Sequence, residues 1–260
     1  MPTFETPDPV ALRISIGAGE VNITAADRTQ STVEVSADSD DEVGRDLVAQ
    51  TKVEHRDGEL SVTAPRQSNS FFGRKPQLTL TVTVPTGSSL LVRTSSADVE
   101  ARGTFGRTQV DTGSGDVELE SVAELQVRTG SGDVRVRAID GGGISTGSGN
   151  VYVNETRGPL KVTSGSGDIV VAEARNGAHA NTASGDVQLL RVHSGPVRAN
   201  TASGDVHVGV AAGTAAWLDV RTLSGDVHSE LAGSDEPTEA EQTVQLHVNT
   251  ASGDITLVHA

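Results

Sequence analysis

Residues Thr112–Val134 read TGSGDVELESVAELQVRTGSGDV, so one hexapeptide closes both ends of a single short stretch. Aligned on its acidic position, the same corner recurs at Asp98, Asp116, Asp133, Asn150, Asp168, Asp186, Asp205, Asp226 and Asp254. The spacings stay between 17 and 19 residues as far as Asp205, then widen to 21 and 28. A slowly drifting period of this length is the mark of stacked coils. Ser stands two residues before every acid, and Val or Ile follows each one. Thr stands four before it, except at Ser164.

Period-2 alternation sorts the flanks into two faces. Val110, Val127, Val117, Val134, Leu119 and Val136 share one side, while Asp111, Arg128, Glu118 and Arg135 take the other. Each coil therefore has a strand entering the corner and a strand leaving it, apolar side inward. The Thr of each corner lies two residues after an inward position such as Val110 or Val127, so it shares the inward face. Stacked coils set equivalent residues about 4.8 Å apart, which predicts an alternating column of Arg93, Asp111 and Arg128. The fold expected is all-β: a parallel β-solenoid of about nine coils, right-handed by the crossover rule.

Residues 10–90 lack the motif but hold alternating runs, among them LRISIGAGEVNIT and QLTLTVTVP. Turn signals stand at Gly17–Gly19, Asp57-Gly58 and Pro85-Thr86-Gly87, and a short helical turn is expected over Asp40–Gln50. We divide the chain into an N-terminal β cap, 1–89, and a continuous solenoid, 90–260. The cap is expected to shield the open edge of the first coil. The acidic insertion Leu231–Gln242 accounts for the widest spacing and is expected to cover the carboxy-terminal edge.

Composition narrows the function. A formal charge of −15 argues against nucleic acid and against an anionic membrane surface as partners. With no cysteine there is no disulfide, thiolate nucleophile or Cys-ligated metal. No apolar run reaches the roughly 20 residues of a membrane helix, and no leader opens the chain, so the expectation is a soluble, cytoplasmic protein without membrane insertion.

The repeat admits four functional readings. Calcium-binding solenoids use a nine-residue pattern with paired glycines, unlike these corners. Each corner Asp, and Asn150 in the same way, is expected to accept hydrogen bonds from turn N–H groups as a structural residue. An ice-binding hydroxyl grid fails because Thr faces inward. For catalysis, only the paired GDVH runs offer an Asp/His patch, at Asp205–His207 and Asp226–His228, with no triad, metal or cofactor motif. The fourth reading is partner binding at a loop that gathers aromatic and basic residues: Phe71 and Phe72 with Arg74 and Lys75.

The run LTVTVPTGSSLLVRTSSADVEARG (Leu80–Gly103), followed by serial SGDV corners, resembles a bacterial adhesin-like β-strand-repeat family also labelled a domain of unknown function. Ala211–Val227 and Val244–Leu257 resemble the end of its leaderless members. The resemblance implies a parallel β-solenoid without an established activity. The expected function is thus a non-enzymatic scaffold for an unidentified protein partner. The alternative is a cation-binding solenoid or a carbohydrate-active β-helix enzyme working near Asp205 and His228.

Overall fold

The computed structural model describes residues 2–39, 41–65, 77–231 and 242–260. Strands dominate, with one helix among the described residues, and the strands form the expected parallel β-solenoid. The chain divides into two compact units, Met1–Gly132 and Asp133–Ala260.

In the first unit the strand Ala11–Ala26 buries Leu12, Ile14, Ile16, Val21 and Ile23 on alternate positions. It runs parallel and in register with Ser89–Thr112, setting Leu12 opposite Leu90, Ile14 opposite Val92 and Val21 opposite Val99. The expected turn at Gly17–Gly19 lies inside this strand, where the inward parity switches between Ile16 and Val21 and Gly19 takes φ 129°. Gly19 lies opposite Ala97 and Glu20 opposite Asp98, so SIGAGEV is a degenerate copy of the corner. Parallel coil pairing therefore begins at residue 11, well before the motif becomes legible. Glycine is required at position 19, where a Cβ would stand 1.9 Å from the Leu78 carbonyl oxygen.

The remaining strands before residue 89 are short. Lys52–Arg56 and Glu59–Thr63 form a hairpin through Asp57 and Gly58, both at positive φ (49° and 77°), as a two-residue hairpin turn demands. Gln30–Ala37 pairs antiparallel with Leu78–Pro85. The predicted helical turn is the helix Glu42–Gln50. Its N-cap Asp41 accepts the Gly44 N–H at 2.7 Å, and this bond holds the carboxyl below its usual range. Arg93, Asp111 and Arg128 form the predicted column, with Asp111 3.8 Å from each guanidinium. Both pairs are exposed and contribute little.

The second unit carries two parallel sheets. One stacks the strands that enter the corners: Gly142–Thr146, Leu160–Ser164, Ala178–Thr182, Gly195–Ser203, Gln242–Ser252 and Thr214–Ser224. The other stacks the leaving strands, from Val134–Ile139 through Val206–Val210 and Ile255–His259 to Val227–Ser229. Between them lie Ile144, Val162, Val153, Val171, Leu189, Val208 and Leu246, all buried.

The order of the last coils differs from the order of the chain. Gln242–Ser252 pairs with Gly195–Ser203 on one side and with Thr214–Ser224 on the other, so the Asp254 coil lies between the Asp205 and Asp226 coils. Burial explains the choice. The inner strand points Val244, Leu246 and Val248 inward, whereas Thr214–Ser224 offers Ala216, Leu218 and Val220, which contain less apolar surface to bury. The coil of Asp226 is thereby left at the edge. Most of the expected covering insertion lies outside the described residues.

Candidate functional site

The repetition of the corner makes it a candidate site. Its Thr or Ser is buried in Thr112, Thr129, Thr146, Ser164, Thr182, Thr201 and Thr250, as parity predicts. The hydroxyl serves the turn: Oγ1 of Thr146 accepts the Gly149 N–H at 2.9 Å, and Oγ of Ser164 accepts the Gly167 N–H at 2.8 Å. Further along, Thr182 and Thr201 donate to the carbonyls of Gly167 and Gly185 on the preceding coil.

The acidic position also works between coils. In the first unit, the Asp116 N–H donates to Oδ1 of Asp98 at 2.9 Å. In the second, Asn150 donates to Asp133, Asp168 to Asn150, Asp186 to Asp168 and Asp205 to Asp186, at 2.8–3.0 Å. The series continues with Asp254 donating to Asp205 and Asp226 to Asp254, each at 2.8 Å, which restates the reordered coils. A carboxamide does this as well as a carboxylate, since Asn150 Oδ1 accepts like the others.

Neighbouring carboxylates about 4.8 Å apart repel by roughly 0.9 kcal/mol in water. Asp186→Asn keeps the acceptor and removes that repulsion, so its melting temperature is expected to equal or exceed that of the wild type at low salt. Asp186→Ala orphans the Asp205 N–H and is expected to cost about 0.5–1 kcal/mol. A thermal melt in which Asn and Ala behave alike sinks the ladder reading. Among the described residues, no three carboxylates or imidazoles converge as a metal-binding group.

The predicted Asp/His patch is not assembled as expected. His207 and His228 each lie opposite Thr256, which separates them, because the Asp254 coil intervenes. Phe71, Phe72, Arg74 and Lys75 lie outside the described residues.

A different cluster is brought together on the outer face of the entering strands. Lys161 lies opposite His179, His179 opposite Arg198, Arg198 opposite His247, and His247 opposite Asp219. Elsewhere on this unit opposite charges interleave. Arg157 pairs with Asp140 at 2.9 Å, Arg175 with Glu155 at 2.6 Å and with Glu173 at 3.2 Å. Lys161 and Arg198, by contrast, have no carboxylate within ion-pair distance among the described residues. Partial burial holds the His179 imidazole below its ordinary range, and the flanking Arg198 and Lys161 charges push it the same way. Next to this column runs an amide ladder, Asn200 Nδ2 to Asn181 Oδ1 at 2.7 Å and Asn249 Nδ2 to Asn200 Oδ1 at 2.9 Å. On its other flank an open hollow of about 450 Å³ is lined by Ser194, Pro196, Gln242, Thr243 and Gln245.

The sequence contained a signal for this face. Lys161, His179, Arg198, Asp219 and His247 all stand seven residues before their corner acid, and the three asparagines stand five before theirs. A stack of cations and amide groups at coil spacing can hold a series of carboxylates by charge-assisted hydrogen bonds.

A family model described as Toastrack DUF4097 matches residues 11–213 and 191–258. No curated protein matches. A "putative adhesin" from Bacteroides fragilis is 15% identical and covers 98% of this chain and 95% of its own, with a TM-score of 0.48. A "putative lipid binding protein" from Parabacteroides distasonis is 11% identical over 100% and 95%, with a TM-score of 0.47. A "putative adhesin" from the same species is 14% identical over 98% and 95%, with a TM-score of 0.44. Among the described residues no helix is long and apolar enough to cross a membrane.

Proposed function

This chain belongs to the Toastrack DUF4097 family, and from that premise we propose that it is a non-enzymatic scaffold that holds an acidic, extended segment of a protein partner. The observation that carries this reading is the uncompensated column of Lys161, His179 and Arg198 on a chain of net charge −15. Lys161 and Arg198 stand two coils apart with His179 between them, and a bound row of carboxylates gains charge-assisted hydrogen bonds there without displacing an existing ion pair. The corner acids and hydroxyls act as structure in this reading, each engaged by a neighbouring coil or by its own turn. We keep the division into cap, 1–89, and coils, 90–260, as part of the proposal, the ligand face belonging to the coils.

An extended glutamate-rich peptide titrated into the protein by calorimetry tests the reading. Binding is expected to weaken with salt, as exposed ion pairs do. Lys161→Glu/Arg198→Glu is expected to weaken it more than about tenfold. Binding is also expected to tighten as pH falls, because His179 is neutral at neutral pH and gains its proton in acid. No binding, or binding indifferent to the double reversal, overturns the proposal.

A further inference from the structure

The terminal coil of the second unit is finished like an interior coil but, among the described residues, no strand pairs on its outer side. Thr214–Ser224 pairs only with Gln242–Ser252, and Val227–Ser229 only with Ile255–His259, among the described residues. Residues that other coils bury are open here. Val227 is 49% exposed, although its counterparts Val206 and Ile255 are 1% and 0% exposed. Trp217, Leu218 and Leu223 are exposed in the same coil, Leu223 at 89%. A long unpaired strand carrying apolar side chains is a template for another strand, and folded proteins ordinarily blunt such edges with short strands or charge. The first unit does so with the five-residue strand KVEHR at Lys52–Arg56. Thr214–Ser224 runs for eleven residues without proline or lysine.

We propose that this edge strand is covered by the same strand of a second copy of the chain, paired antiparallel about a two-fold axis through Val220. Antiparallel pairing keeps each side chain on its own face, so only registers centred on a residue preserve the inward and outward sides. Centring on Val220 sets Asp219 opposite Arg221 on both sides of the axis and Trp217 opposite Leu223, all on the outward face. On the inward face Leu218 meets Thr222. Moving the centre one residue back opposes Asp219 to itself, and moving it one forward opposes Arg221 to itself. Within one copy Arg221 Nε already lies 3.1 Å from Asp219 Oδ1, so these groups alternate in sign along the edge that must be matched. An isologous contact of this kind closes as a dimer and leaves no free edge to propagate. The chain's own residues 232–241 are a poorer complement by composition. They contain Pro237, four carboxylates and no large apolar side chain.

Sedimentation and fluorescence test this on the full chain. Trp217 is the only tryptophan, so its emission reports on the edge directly. The wild type is expected to dimerise at micromolar concentration, with a blue shift of Trp217 emission that follows the dimer fraction. Asp219→Arg places like charges opposite each other, and so does Arg221→Asp. Each is expected to raise the dimer dissociation constant more than about tenfold. Asp219→Arg/Arg221→Asp restores opposite charges across the axis and is expected to restore the dimer. A wild type that remains monomeric overturns the proposal, as does a dimer that both single reversals leave intact. Dimerisation that appears only when residues 232–241 are replaced by a Gly–Ser linker also overturns it, since that result assigns the edge to the chain's own segment.

Discussion

Gly167→Ala is expected to lower the melting temperature by roughly 6–12 °C, the equivalent of about 3 kcal/mol in a chain of this size. A Cβ at position 167 would stand 2.0 Å from the Gly149 carbonyl oxygen of the preceding coil. The obstacle is backbone held in a corner of its own, so neither side can yield by changing a rotamer. The residue is not at positive φ, which separates close approach from conformational preference as the cause. Gly17 supplies the control. It lies within a strand and is not at positive φ, and a Cβ there would meet no atom within 4 Å. Gly17→Ala is therefore expected to be neutral or slightly stabilising. Equal melting shifts for the two variants would falsify the close-approach account.

The second large effect concerns a substitution that strand propensity would favour. Thr146→Val adds a β-branched apolar side chain of nearly the same shape to an inward position that is 5% exposed. It also removes the acceptor of the buried Gly149 N–H. A buried donor left without a partner costs about 1–3 kcal/mol, so Val is expected to destabilise the protein despite its greater hydrophobicity. Thr146→Ser should lose much less, because Ser164 makes the same bond at 2.8 Å in the next coil. Denaturant titration decides the matter, and a valine variant as stable as the wild type removes the hydroxyl from the account.

Much of this was legible because one acidic position sets the register of a whole coil. Aligning on Asp116 and its equivalents places Thr112 inward, Val117 in the core and Asp111 outside, and burial agrees at each. The Gly before every corner acid after Asp98 was readable as a turn residue, but the physical reason is the carbonyl of the adjacent coil, which alternation cannot reveal. Glu20 escaped notice because the intervening cap residues break the period between Glu20 and Asp98. The position of the last coil escaped for another reason. Spacing records distance along the chain, whereas the neighbour of Gly195–Ser203 is settled by which strand buries more, and Val244, Leu246 and Val248 outdo Ala216, Leu218 and Val220. The Lys161–Arg198 column was present in the same alignment, but its cations are interrupted by His179 and its order depends on the interleaved last coil, which spacing does not record. For the Phe71–Phe72 loop the described residues give no account.

The interleaved coil also governs the order in which this molecule can assemble. A solenoid whose coils stack in sequence can fold from one end by short local steps, each new turn finding a finished surface beneath it. Here that progression halts after Val206–Val210. The next strand to emerge, Thr214–Ser224, has to wait away from its final neighbour until residues 242–260 have emerged and slipped in beneath it. The closing step is a long-range insertion performed by the most strongly apolar late strand. The slow phase of folding should therefore sit in the carboxy-terminal coils, and a chain interrupted before residue 242 leaves open the edge of Gly195–Ser203 that Gln242–Ser252 otherwise takes.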